Sequence, residues 1–252
     1  MAKINMDFFR EKRYEPFIKN GQLIAPVDSV LLFSRVWNRL IENGVKIVVP
    51  KKIVWINGAP GSGKGTNTRN VMRALDISLR PIVVSDLLNT AEFKEKINQG
   101  LLVDDAEVTF LVFKHILEEG AGKSIIVDGY PRTTIQAECI QLLQAQIKDT
   151  SLVMLSIVLL VDERTSIQRQ LTRGREAEEY NIKVADKETE LVEVRTTDKD
   201  PKLAHRRYDE FFEKTYPALR LLKKITDYHE IEAKGSLIEV RDRIYVALEG
   251  KK

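Results

Sequence analysis

The stretch "KIVWINGAPGSGKGT", residues 52–66, decides how the rest of the chain is read. Ile53 to Asn57 is an apolar, β-branched run. Gly58, Gly61, Gly63 and Gly65 then strip side chains from a loop that also holds Ala59, Pro60, Ser62, Lys64 and Thr66, and a helical pattern starts near Lys64. Strand, Gly-x4-Gly-Lys loop and helix, in that order, are what a phosphate-binding loop requires. Bare backbone turns tightly round an anion and aims successive N–H groups at it. The helix N-terminus adds a partial positive charge, and Lys64 adds a whole one. In the common form of this loop a serine or threonine directly follows the lysine; here Gly65 intervenes and Thr66 comes second.

Short apolar runs recur downstream, at 81–85, 124–128, 153–161 and 228–233. Amphipathic stretches lie between them, at about 64–76, 86–98, 105–119, 134–147, 162–173, 200–224 and 236–248. This alternation predicts an α/β fold with a five-stranded parallel sheet flanked by helices. The strands are almost wholly apolar, as expected when both faces are covered. Residues 1–50 precede the first core strand and form an N-terminal extension. Within it "PVDSVLLFSRVWNRLIENG" reads as one helix, capped by Asp28 or Ser29, stopped by Gly44, and anchored to the core by Trp37. Residues 51–252 form the main domain. Residues 174–201 are heavily charged and read as a surface insert, open to a hairpin in "NIKVADKETELVEV".

The bulk numbers exclude several classes. The chain has 252 residues, 43% apolar and 31% charged, with 40 basic against 37 acidic side chains. A net charge of +3 lacks the basic bias of a non-specific nucleic-acid binder. One cysteine, Cys139, allows neither an internal disulfide nor a Cys-rich metal site, so structural zinc is not expected. Cys139 reads as a small packed group, and His115, His205 and His229 show no metal-ligand spacing. The longest near-apolar run, 152–161, is too short to span a bilayer. The first residues alternate charge with apolar side chains, unlike a secretory signal. A cytoplasmic protein without a membrane or nucleic-acid partner is expected.

Two further motifs carry chemistry. In "VDGYPRTTIQAE", residues 127–138, Asp128 ends a buried strand, where a carboxylate needs a reason; beside a phosphate loop that reason is usually Mg2+. In "SIQRQLTRGR", Arg169 and Arg173 are four residues apart and share a helical face, where they repel unless an anion lies between them.

"GAPGSGKGT", "DGYPRT" with Gln136, and the Arg169/Arg173 pair together resemble the adenylate kinase family of nucleoside monophosphate kinases. The resemblance covers about 52–249. It implies a P-loop core, ATP and a nucleoside monophosphate as ligands, and transfer of the γ-phosphoryl group between them. Lys64, Arg132, Arg173 and Arg207 are implied to surround the transferring group. Residues 58–66 are implied to hold the ATP phosphates, and Arg169 to stack on its adenine. The acceptor falls to Asp86, Asn89, Val103, Gly129, Arg132, Gln136 and Arg195 (the segment 84–108 and its neighbours). Gln136 is implied to read the base. Thr66 and Asp128 are implied to place Mg2+, partly through water. Residues 174–201 correspond to the lid, Phe211 and Thr215 match the spacing that follows Arg207, and Arg195 and Asp198 match one residue off register. A monomer is expected.

The acceptor segment departs from the family. It reads "VVSDLLN", with Val84 and Ser85 where small residues or glycine are usual and Asn89 where an acceptor-binding arginine belongs. Lys94 or Lys96 is a candidate replacement. AMP is the expected acceptor. UMP, CMP or another phosphate-bearing small molecule is the alternative. A nucleotide-binding module with little activity, its first 50 residues docking a partner, is the reading from a different class.

Overall fold

The computed structural model describes residues 12–20, 22–90, 93, 103–149, 151–185, 191–192 and 194–251. Lys94 and Lys96 lie outside them. A short hairpin comes first, β1 (Ile18–Lys19) against β2 (Gln22–Leu23). The central sheet then takes β3 (Lys52–Gly58), β4 (Ile82–Val83), β5 (Ser124–Asp128), β6 (Val153–Leu160) and β7 (Asp227–Glu232). Its order is β4-β5-β3-β6-β7, and every pairing is parallel. The α/β fold with a five-stranded parallel sheet is therefore as the alternation predicts. β3, at the centre, is buried on both faces, which is why "KIVWI" reads as a continuous apolar run.

The helices are α1 (Val27–Glu42), α2 (Lys64–Ala74), α3 (Val84–Leu87), α4 (Asp105–Glu119), α5 (Thr134–Ile147), α6 (Glu163–Val184), α7 (Pro201–Glu210), α8 (Tyr216–Leu221) and α9 (Leu237–Ala247). Four details differ from the sequence expectation. Pro26, not Asp28 or Ser29, is the N-cap of α1; Asp28 sits in its first turn, and Ser29 is buried with its hydroxyl 2.5 Å from Glu138 Oε2. The second sheet strand is only Ile82–Val83, because Val84 and Ser85 already begin α3. Gly174 does not stop α6, which continues to Val184, so the insert starts a full ten residues later than its charge suggests. Within 181–194 no hairpin strand is found among the described residues. Instead the Asn181 carboxamide spans the return, bonding Val192 N–H and C=O at 2.8 Å each. The fourth difference is in 200–224. The helix is interrupted by a π turn at Phe211–Thr215 and ends in a 3-10 turn at Leu222–Lys224.

α1 buries Val30, Phe33, Val36 and Leu40 against the same core as the sheet-flanking helices. Phe33 is the pivot. Phe17 meets it edge-on at 5.4 Å, Phe113 of α4 at 6.1 Å, and Trp37 stacks on it at 5.8 Å, as expected of an anchor. Cys139 of α5 is fully buried, and burial pushes its thiol up to about 12. Phe33→Ala should lower unfolding stability by about 3–5 kcal/mol, the usual cost of an aromatic-sized void in a close-packed core. Urea titration followed by far-UV circular dichroism measures it.

Candidate functional site

The site lies at the carboxyl ends of the parallel strands, where loops converge and helices begin. Register does the placing. Ile56 of β3 lies opposite Asp128 of β5, so the glycine loop after Gly58 and the segment after Asp128 leave the sheet side by side. Asn57 stitches them: its Nδ2 donates to Pro131 O at 2.8 Å, and its Oδ1 accepts from Gly58 N–H at 2.9 Å. The loop is packed so tightly that side chains are excluded at two points. A Cβ on Gly58 would lie 2.7 Å from Ser62 Oγ, and one on Gly61 would lie 2.7 Å from the Ser166 carbonyl oxygen. Gly65 is different. A Cβ there meets nothing within 4 Å, so its bareness faces open space, not protein. The Ser62 hydroxyl is buried and has no hydrogen-bond partner among the described residues.

Lys64 opens α2 and turns back over the sheet to contact the Asp128 carboxylate, itself only 4% exposed. The second Asp128 oxygen lies 3.2 Å from the hydroxyl of Thr68, one helical turn beyond Lys64. Burial, then the neighbouring guanidinium groups of Arg132, Arg195 and Arg207, pull the Lys64 ammonium down to about 8. The Asp128 contact opposes that pull. Burial and Arg195 likewise lower Arg132, and burial, Arg195 and Arg173 lower Arg207. The mutual influence places four cations around one small volume. Gly129, at φ +91°, keeps the floor between two of them open: a Cβ there would lie 3.3 Å from Arg132 Nη2 and 4.0 Å from Lys64 Nζ.

Arg132 is held along its length. Its N–H donates to Gln136 Oε1 at 2.8 Å, its Nε donates to Gly129 O at 3.0 Å, and its C=O accepts from Thr215 Oγ1 at 3.2 Å. Gln136 is buried, and its Nε2 donates to Asp105 Oδ1 at 2.8 Å, while Thr133 Oγ1 donates to Asp105 Oδ2 at 3.0 Å. Both ends of the Gln136 carboxamide thus already bond protein, with one amide hydrogen and one lone pair left over.

Arg173 does not point at the loop alone. It forms a two-pronged bond with Asp198, Nε at 2.7 Å and Nη2 at 2.8 Å. Asp198 is 3% exposed and also lies 3.6 Å from Arg207 Nη1. Gly174 explains how Asp198 gets there: a Cβ at 174 would lie 2.2 Å from the Asp198 carbonyl oxygen. Arg206 faces away, paired with Glu210 at 3.3 Å. Arg169 sits in the wall of a 460 Å³ cavity with Gln168, Thr172, Arg173, Lys234 and Gly235. Its guanidinium donates to Gly61 O, Ala233 O and Gly235 O, so it is fixed between the glycine loop and the last loop of the sheet. Asp86 and Asn89 are exposed at the other side, where Asp86 lies 3.6 Å from Arg80; Val103 is half-buried. Thr66 is exposed at the start of α2.

Sequence reasoning passed over Asn57, Thr68, Asp105 and Gly174. Thr68 had a signal, since it follows Lys64 at helical spacing. Gly174 had one too, because a glycine inside an otherwise unbroken helical pattern asks for a packing reason.

Known proteins resemble this chain over most of its length. The family model described as "ADK: Adenylate kinase" matches residues 56–227. An adenylate kinase from Bartonella bacilliformis is 31% identical over 202 residues, covering 76% of this chain and 97% of that one. One from Flavobacterium psychrophilum is 27% identical, covering 74% and 93%. Among solved structures, a gluconokinase from Sinorhizobium meliloti overlays with a TM-score of 0.46 at 13% identity, covering 80% of this chain and 93% of that one. Gly174→Ala should push the 195–198 segment off α6 and carry Arg195 out of the cation cluster. The expected outcome is a folded protein with a several-fold weaker affinity for ATP, measured by titration calorimetry, because an overpacked contact shifts backbone before it unfolds a domain.

Proposed function

Because the chain belongs to the adenylate kinase family, and so is a nucleoside monophosphate kinase, we propose that its acceptor is AMP, phosphorylated from ATP·Mg2+ to give two ADP. The observation that carries this reading is the gathering of Lys64, Arg132, Arg195 and Arg207 at the mouth of the glycine loop. Cations crowded until they depress one another's proton affinity are arranged for a polyanion.

In the proposed mechanism an oxygen of the acceptor phosphate attacks the γ-phosphorus. The bond from that phosphorus to the bridging β-oxygen breaks, and ADP leaves. The attacking oxygen is already ionised at neutral pH, so no general base is needed, and catalysis is positioning plus charge neutralisation. The loop N–H groups cradle the β-phosphate. Gly65 leaves room in front of them. Lys64 swings from Asp128 toward the β- and γ-phosphates. Arg132 grips the acceptor phosphate with its fork, aimed by Gln136, Gly129 and Thr215. Arg173, Arg195 and Arg207 meet charge on the transferring group, with Asp198 holding Arg173 and Arg207 until ligand arrives. Arg169, pinned in plane by three carbonyls, offers its face to the adenine beside the 460 Å³ cavity. The leftover hydrogen-bonding capacity of Gln136 faces the acceptor base.

Thr66 and Asp128 suit Mg2+. They are hard oxygen donors, and Mg2+ prefers one or two protein oxygens together with phosphates and water. When bound, the ion would supply charge neutralisation for the transferring phosphoryl group.

A coupled ADP-release assay with ATP·Mg2+ against AMP, UMP, CMP, GMP and their deoxy forms tests the reading. AMP should give the highest kcat/KM, and Lys64→Met should lower it about 100-fold or more, the usual worth of one preorganised charged donor. Preference for another monophosphate would replace AMP as acceptor. Arg132→Lys should raise the acceptor KM at least about 10-fold and leave the KM for ATP within about twofold, since lysine keeps the charge but loses the fork.

A further inference from the structure

The helix that carries Arg207 changes its winding. Tyr216 N–H bonds the carbonyl of Phe211, five residues back, and the π turn this closes separates α7 from α8. Pro217 supplies the cause. It has no N–H to give, and in regular winding its ring would press on the carbonyl four residues back. A wider turn just before it relieves the clash. The consequence is rotational. Through regular α-helix, eight residues would leave Thr215 about 80° round the axis from Arg207. A π turn absorbs one residue and brings the two within about 20°, on one face.

That face looks at the cation cluster. Arg207 Nη1 reaches Thr197 Oγ1 at 3.4 Å and Asp198 Oδ1 at 3.6 Å. Thr215 Oγ1 donates to Arg132 O at 3.2 Å. The bond completes a three-point clamp, because the Arg132 N–H and Nε are already taken by Gln136 and Gly129. Thr215 is the member of the clamp that comes from outside the 129–136 segment. It therefore ties the aim of Arg132 to the same helix that aims Arg207.

We propose that Thr215 is a positioning residue for phosphoryl transfer: its hydroxyl, brought round by the π turn before Pro217, holds the Arg132 backbone in register with Arg207. The proposal rests on the reading that Arg132 grips the acceptor phosphate.

The test is steady-state kinetics on the full chain with its best monophosphate acceptor, for wild type, Thr215→Val, Thr215→Ser, Arg132→Lys and the Thr215→Val/Arg132→Lys double variant. Thr215→Val should lose about 10-fold in kcat/KM for the acceptor, the worth of one well-placed hydrogen bond, with the KM for ATP unchanged. Thr215→Ser, which keeps the hydroxyl, should return to within about twofold of wild type. In the Arg132→Lys background Thr215→Val should cost less than about twofold, since coupled residues do not add. Melting temperatures of the valine and serine variants should match, which separates positioning from folding. A wild-type kcat/KM in the valine variant, failure of serine to rescue, or full multiplication of the two losses would each overturn the proposal. A wild type inactive toward every monophosphate sinks the acceptor reading and this proposal with it; an active wild type with an indifferent Thr215→Val sinks this proposal alone.

Discussion

Like charges repel, and this fold holds five of them together. Lys64, Arg132, Arg173, Arg195 and Arg207 come from five separate stretches of chain and crowd the carboxyl end of one parallel sheet. Two carboxylates make the crowding tolerable, Asp128 at 4% exposure and Asp198 at 3%. Each is buried and each engages more than one partner, which offsets the cost of taking a charge out of water. Asp128 receives Lys64 and Thr68 from α2; Asp198 receives Arg173 from α6 and lies near Arg207 of α7. Remove either carboxylate and the cations lose the anion that balances them in the absence of ligand.

The two carboxylates are placed by different physics. Asp128 is fixed by the sheet itself, through its register with Ile56, so it can hardly move without the core. Asp198 sits in a short turn outside the sheet and is fixed by the close approach of its backbone to Gly174. On the proposed reading the rigid carboxylate belongs to the metal and the donor phosphates. The one carried on a surface segment acts as a placeholder for the anion that binds there. A site for two phosphorylated ligands is then half built into the sheet and half built by packing of a turn against α6.

The sheet and the phosphate loop were legible in the sequence because their causes are local. Glycines at 58 and 61 answer to contacts that nothing larger could make, and strands buried on both faces read as apolar runs. What was misread had causes elsewhere in space. The helix was read as ending before Gly174, whose reason, the Asp198 backbone, lies twenty-four residues downstream. The pairing of Arg173 with Asp198 was hidden likewise; helical spacing showed that Arg169 and Arg173 share a face but not what meets each of them. In fact the two part company, Arg169 to three backbone carbonyls and Arg173 to a carboxylate. The break in the 200–224 helix was visible in principle as Pro217, a residue that cannot continue regular winding.

Asn89 gives the acceptor side its particular character. The segment 84–90 carries no lysine or arginine, and its one acid, Asp86, lies beside the exposed Arg80. On the proposed reading, the cations among the described residues that a phosphate there can draw on are Arg132, Arg195 and Arg207, across the cleft. The same arginines meet the transferring group in the proposed mechanism, so acceptor binding and donor binding draw on one shared set of cations. An acceptor arriving first would be gripped by Arg132 with Arg173 still paired with Asp198 and Arg207 still beside it. An acceptor arriving after ATP would meet a cluster already drawn off that carboxylate. Shared cations make the two ligands energetically dependent on each other, and a coupling of this kind is reciprocal by thermodynamic necessity. On the proposed reading the acceptor's grip then rests on the cluster that does the chemistry, with Asn89 contributing no charge on the acceptor's own side.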